Sequence, residues 1–257
     1  GAIKGFTLIW PAGDEERRTR ILATMQSSFA PIDGVLDPAV LTEDAPSIDL
    51  VAGISLAKPK ITASGFFVDR QGAVVTTHTA VANCDRITLN NHGEAEVVLS
   101  DPSLGVAVLR TSATTAQTAV AQFRNGTPRL RSEVAVAGYS FGGLLPSAAM
   151  TFGHLSNLRG LNDEDTLFRL AINTLQGDAG GPVMDDRGAV IGMLVTDDAG
   201  GRQLPGNVNF ALNSRTIQQV LSSLAMMPQV SDARDRIHPE DLTQKAAAMT
   251  VLVNCWE

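Results

Sequence analysis

"QGDAGGPVMDDRGAVIGMLV", Gln176 to Val195, decides how this chain is read. It opens on a loop rich in glycine, with Gly177, Gly180 and Gly181 around Ala179. Beyond the loop come "GPVMD", the turn "DDRG" and the apolar run "AVIGMLV". Upstream lies "TLFRLAIN", 166–173, another strand-like stretch. The order is therefore strand, glycine-flanked loop, strand, turn, strand. Asp185-Asp186 is expected to be a solvated part of the turn, as is Asp197-Asp198 further on.

The same texture extends in both directions. From about Ser47, short apolar or alternating runs are separated by Gly, Asn, Asp and Pro turns. They are "LVAGISL", "ITASGFFVD", "AVVTT", "RITL", "AEVVL" and "VAVLR", then "EVAVAGY", "AAMTFGHL", "TLFRLAIN", "GPVMD", "AVIGMLV" and "NVNFAL". Runs at this spacing predict an all-β sandwich or a pair of barrels. Helical periodicity returns after Asn213, where Ser214 can cap a helix with Ile217, Val220, Leu221 and Leu224 on one face. "MPQVSDARDRIHPEDL" reads as a polar linker, and "PEDLTQKAAAM" as a last short helix. Residues 1–45 have a different pattern, with a strand at "GFTLIW", a turn, then a helix capped by Asp14 with Ile21, Leu22, Met25 and Phe29 on one face. This divides the chain into a strand-helix appendage (1–45), a β-rich domain (46–226), and a linker with a tail that packs back (227–257).

The 257 residues are 44% hydrophobic and 18% charged, ordinary values for a globular protein. The net charge of −7 comes without a basic patch, which argues against a nucleic-acid partner. No apolar run is long enough for a transmembrane helix. The opening Gly1-Ala2 looks like a cleavage scar, so the natural chain is expected to begin further upstream. The four histidines, His78, His92, His154 and His238, show no paired ligand spacing, and no metal or cofactor is expected. Cys84 and Cys255 are either two unrelated thiols or one disulfide tying the C-terminal tail back. The disulfide would imply an oxidising compartment.

The stretch Phe168–Val195 resembles the nucleophile region of trypsin-like serine proteases, in their HtrA-like branch. "SGFFVDRQGAVVTTHTAV", 64–81, resembles the family's segment around the histidine. "SDPSLGVAVLR", 100–110, resembles the segment around the aspartate. "VAVAGYSFGG", 134–143, resembles the turn opening the second barrel, and "VNFAL", 208–212, the strand before the C-terminal helix. The resemblance covers residues 64 to about 225 in the family's order. It implies two antiparallel β-barrels, a binding cleft between them, and a periplasmic or other extracytoplasmic location.

The chemistry that the resemblance implies is missing its parts. Such a protease needs a hydroxyl nucleophile, an imidazole to take its proton, and a carboxylate to orient the imidazole. The matched positions hold Ala179, Thr79 and Gly105. His78 is adjacent to Thr79, but in an extended strand end neighbouring side chains point opposite ways. Asp101 matches a neighbour of the aspartate position. Loss of nucleophile or base alone costs roughly 10⁶ in kcat, so removing three at once points to natural degeneration rather than a trapping mutation. The backbone around Gly177, Asp178 and Ala179 is expected to retain the form of an oxyanion hole. The resulting expectation is an inactive protease homologue that acts as a protein- or peptide-binding or scaffold module in the cell envelope. The alternative is an active serine hydrolase, through a displaced His78 or through Ser140. "GYSFGG" at Ser140 also fits a nucleophile elbow, with Asp197 or Asp198 and His238 as partners, but the elbow needs a helix directly after it.

Overall fold

The computed structural model describes residues 13, 15–28, 47–49, 54–56, 58–111, 119–195 and 204–257. The chain forms two compact units, Gly1–Leu56 and Ala57–Glu257. The first holds a helix, α1 (Glu15–Ser28), and a small antiparallel hairpin of β1 (Ser47–Asp49) and β2 (Ile54–Leu56). Among the described positions of α1, Ile21, Leu22 and Met25 are partly buried, at the helical spacing expected. The strand expected at "GFTLIW", with Asp14 and Phe29, lies outside the described residues.

The second unit begins with β3 (Ile61–Phe67), β4 (Ala73–Thr77), β5 (Arg86–Leu89), β6 (Gly93–Asp101) and β7 (Val106–Thr111). It continues with β8 (Gln122–Arg124), β9 (Glu133–Gly138), β10 (Ala149–Asn157), β11 (Leu167–Ala171), β12 (Pro182–Asp185), β13 (Val190–Val195) and β14 (Val208–Asn213). Helix α2 (Ser214–Ser223), β15 (Gln229–Ser231), α3 (Pro239–Met249) and β16 (Thr250–Trp256) complete it.

Two closed antiparallel barrels result. The first runs β16-β3-β4-β7-β6-β5, with β16 pairing both β3 and β5. The second runs β9-β10-β11-β14-β13-β12 and closes where β12 pairs β9 and β13. Closure removes most free edges, which otherwise invite aggregation. Residues 227–257 are thus more than a linker with a docked tail: Thr250–Trp256 is a full wall strand of the first barrel. The proline-bearing segment also holds β15, which pairs in parallel with β8, as β8 does with β13. The outer side of β15 pairs no strand among the described residues.

The alternation seen in the sequence sets the packing. Phe66, Val75, Val106 and Val108 from the first barrel share a core with Ala135, Met184, Val190 and Leu212 from the second, with Phe123 of β8, and with Ile217 and Leu221 of α2. Phe66 and Phe123 are fully buried and meet edge to face at 6.5 Å between ring centroids. Burial of each such ring stabilises by about 2–3 kcal/mol. The cap of α2 differs from expectation by one residue. Asn213, not Ser214, is the N-cap, and its side-chain oxygen accepts from Thr216 N at 2.9 Å.

Cys84 and Cys255 form a disulfide, with their Cα atoms 5.3 Å apart. It fastens β16 to the segment after β4. Next to it the indole of Trp256 donates to Thr88 Oγ1 at 2.9 Å and lies under the Arg86 guanidinium.

Candidate functional site

The glycine-rich loop sits between β11 and β12 and is a single 3-10 turn, Gln176–Asp178. Asp178 is buried and staples the turn with its own carboxylate. Its Oδ2 accepts from Leu175 N at 2.9 Å, and its Oδ1 accepts the Ser140 hydroxyl. Its amide donates back to Leu175 O at 3.0 Å. Ala179 N donates to Gln176 O at 3.3 Å. Of the Gly177 and Ala179 amides expected to form an outward nest, that of Ala179 therefore points into the turn, as does the Asp178 amide between them, because a 3-10 turn consumes its own donors.

The loop is clamped to the first barrel. Gly180 has φ +86°, and a Cβ there would fall 2.0 Å from Ser64 O. Only glycine fits both the left-handed backbone and that approach. Ser64 N donates to Ala179 O at 2.8 Å, and Ser64 Oγ donates to Gly177 O at 2.7 Å. Tyr139 N donates to Ser64 Oγ at 2.8 Å, and Thr76 Oγ1 to Ser64 O at 2.7 Å. Sequence reasoning misses Ser64, which in the run ITASGFF is one of two hydroxyls with nothing to set it apart from Thr62.

Two of the positions matched to a triad, Thr79 and Gly105, lie at one end of the first barrel, and the third, Ala179, lies on the loop between β11 and β12. β4 ends at Thr77, which pairs with Val106, and the chain then makes a 3-10 turn, His78–Ala80. His78 and Thr79 therefore lie in a turn and not on an extended strand end as expected, so strand alternation does not govern where they point. Gly105, directly before β7, accepts His78 N at 3.0 Å. Its φ of +68° and open surroundings mark a turn position. Ala179 is buried at the edge of the loop. The side chains present are thus a hydroxyl, a hydrogen and a methyl.

His78 is tied to β6 through one ring nitrogen. Its Nδ1 is hydrogen-bonded to Ser100 Oγ on β6 at 2.7 Å. Thr79 Oγ1 donates to Thr77 Oγ1 at 3.1 Å. Asp101, the carboxylate nearest in sequence, shapes the turn into Gly105. Its Oδ1 accepts Ser103 Oγ at 2.6 Å, Ser103 N at 2.8 Å and Leu104 N at 3.1 Å. These bonds, that from the Ser103 hydroxyl first, hold the Asp101 carboxyl below its ordinary range.

Ser140 does not sit on an elbow. After β9, residues 141–147 form an exposed turn-rich loop leading into β10, with no helix following. Its hydroxyl is donated to Asp178. His238 is the N-cap residue of α3. Asp197 and Asp198 lie outside the described residues.

Beside the loop is an apolar surface. Phe141 is 51% exposed, Leu144 86%, Leu145 46% and Leu175 51%. Asp185, expected to be solvated, is buried instead: it pairs with Arg124 and accepts Arg187 N at 3.0 Å and Ala189 N at 2.9 Å. Sequence alone could not show this, because Arg124 comes from a strand sixty-one residues away.

Comparison with known proteins agrees with the barrels. Residues 63–193, about half of the chain, match the trypsin-like peptidase domain model. An uncharacterized protein of Sinorhizobium fredii, y4bJ, is 31% identical over 208 residues, covering 75% of this chain and 32% of its own. A protein of Brucella suis named "Probable periplasmic serine endoprotease DegP-like" is 26% identical over 200 residues, covering 74% and 38%. The chain thus spans about a third of the length of the curated relatives it matches. Among solved structures, a serine endoprotease from Yersinia pestis superposes with TM-score 0.52 at 23% identity, covering 63% of this chain and 57% of its own. The HtrA-type protease AlgW with a decapeptide gives 0.51 at 23%, covering 63% and 51%.

Proposed function

The chain belongs to the trypsin-like peptidase domain family, and from that premise we propose that it is an inactive homologue of the HtrA-like branch that binds a protein or peptide in the cell envelope. The observation that carries the reading is Ala179. It occupies the centre of a loop otherwise built as a nucleophile loop, and a methyl group has no lone pair with which to attack a carbonyl. The replacements at Thr79 and Gly105 point the same way, since neither a threonine nor a glycine can take a proton from a nucleophile or orient a base. Without the triad, binding and oxyanion contacts leave at most roughly 10³–10⁴-fold acceleration over water, which is negligible for peptide bonds. The amides that turn inward at Asp178 and Ala179 reduce even that.

Binding has its own support. Phe141, Leu144 and Leu145 are exposed on the segment that starts at Ser140, whose hydroxyl bonds Asp178, and they offer apolar side chains to a bound segment. One structural relative, AlgW, was solved with a decapeptide. The disulfide and the periplasmic naming of the Brucella relative favour an extracytoplasmic setting.

The test has two arms. Fluorophosphonate labelling and casein hydrolysis are expected to show no reaction. Titration with extended apolar peptides is expected to show binding that Leu144→Asp weakens. Stoichiometric labelling, at Ser140 or any other serine, would replace this reading with an active hydrolase. Absence of binding to every peptide would remove the binding half of it.

A further inference from the structure

The second barrel carries a charged cluster away from the Gln176–Gly180 loop. Arg124, Arg129, Arg131, Arg187 and Arg236 line one cavity of about 350 Å³. They come from β8, the β8–β9 connection, the β12–β13 turn and the segment between β15 and α3. Only two acidic residues, Asp185 and Asp186, line it with them. In a chain of net charge −7 this is a local reversal of sign.

The acidic groups are already spoken for. Asp185 is turned into the β12–β13 turn, where it takes two backbone amides and Arg124. Asp186 accepts Arg236 Nε at 2.6 Å and lies 3.9 Å from Arg187 Nε. Arg236 also reaches Glu133 at 3.6 Å. Arg129 and Arg131 have no ion pair among the described residues, and both are exposed. The buried Nε atoms of Arg124 and Arg187 have no hydrogen-bond acceptor among the described residues. Guanidinium donors therefore outnumber the acceptors supplied by the protein.

The cluster is also held in place. Arg131 has φ +61°, a left-handed conformation unusual for arginine. Its amide donates to Leu155 O at 2.8 Å, and Leu155 N donates to Ser132 O at 3.0 Å, which pins the turn to β10. Ser132 N closes the turn onto Arg129 O at 3.2 Å. A non-glycine residue kept in that region by its surroundings is a common mark of a site.

We propose that this cavity binds a small multivalent oxyanion of the phosphate type, with Arg129 and Arg131 as its principal ligands and Arg187 and Arg236 beside them. The cationic lining is all arginine. Its planar fork matches the two oxygens of a phosphate or carboxylate, whereas lysine offers a point charge. The volume is at the small end of ligand pockets and fits a pyrophosphate-sized group. The group could be free or the headgroup of an acidic lipid.

The experiment is calorimetric titration of the full chain with pyrophosphate at pH 7 and constant ionic strength. In parallel, the chain is floated with vesicles of neutral lipid, with and without phosphatidic acid. Arg129→Gln with Arg131→Gln is expected to weaken binding at least tenfold while leaving the melting temperature unchanged. Arg187→Gln, tested separately, is expected to weaken it less. Pyrophosphate binding lost in the double variant supports the site with a free phosphate compound as ligand. Flotation only with phosphatidic acid, lost in the same variant, supports it with a lipid headgroup. No binding in either arm, or binding that the double variant leaves unaltered, overturns the proposal.

Discussion

The amide of Ser64 donates to the carbonyl of Ala179 across 2.8 Å, joining a strand of the first barrel to the loop of the second. Ser64 is fully buried, and its amide, carbonyl and hydroxyl are all in use. Ser64→Ala keeps the backbone bond but strands Tyr139 N and Gly177 O without their partner. Buried polar groups left unpaired cost roughly 1–3 kcal/mol each. A loss of about 2–4 kcal/mol in urea unfolding is expected, with local loosening at 176–180 by hydrogen exchange. Loss below about half a kcal/mol would show that the clamp contributes little.

Restoring the hydroxyl alone should restore nothing. Ala179→Ser is expected to remain unlabelled by fluorophosphonate, because no imidazole stands at Thr79 to take the proton. Adding Thr79→His and Gly105→Asp should give weak labelling at best. Gly105 has φ +68°, and a side chain there carries a backbone penalty of about 1 kcal/mol. Labelling of the single variant at the rate of an active protease would contradict this account of the site.

The Cys84–Cys255 bond closes a loop of 171 residues in sequence separation. In the chain-entropy model a loop of that length stabilises by about 5 kcal/mol, and measured losses on removing native disulfides are roughly 2–5. Cys84→Ser with Cys255→Ser is expected to lower the unfolding free energy within that range. The decisive measurement is the urea midpoint of oxidised and double-variant protein. Equal midpoints would show the tether to be energetically idle.

Lys245 gives a pH signature. Burial lowers its pKa from the ordinary lysine value, and the nearby Asp185 carboxylate partly opposes this. A lysine whose folded pKa lies below its unfolded one costs stability while both states are charged. That cost fades as pH rises through the folded pKa towards about 10.4. The group is partly solvated and donates to Gln122 at 3.2 Å, so the effect is expected below about 1 kcal/mol. Lys245→Met should raise the melting temperature slightly at pH 7, and the gap to the parent should narrow by about pH 10. A gap that widens with pH would reverse the sign argued here.

Much of the fold could be read from the sequence because its information is local. Ala73–Thr77 and Val106–Thr111 announce themselves as apolar runs bounded by Gly, Asp and Pro turns, and they pair as neighbours in the first barrel. The short strands β8 and β15 could not be seen. Each has three residues, and each exists because a distant partner in parallel register supplies its hydrogen bonds. The site divides in the same way. Ala179, Thr79 and Gly105 are identities, fixed by position within motifs. The engagement of His78 by Ser100, the burial of Asp185 against Arg124 and the fourfold role of Ser64 are contacts between distant segments, which periodicity does not encode.

The first barrel is closed by β16, whose seven residues follow the entire second barrel in the chain. β3 and β5 therefore each keep an unmatched flank until residues 250–256 fold against them. Without Thr250–Trp256 the first barrel would present two adhesive borders at once and would lack the cysteine that locks them. Sealing of this barrel is thus coupled to residues that come after the second one in the chain, a non-local closure whose loop entropy is lost before any of its own hydrogen bonds offset it.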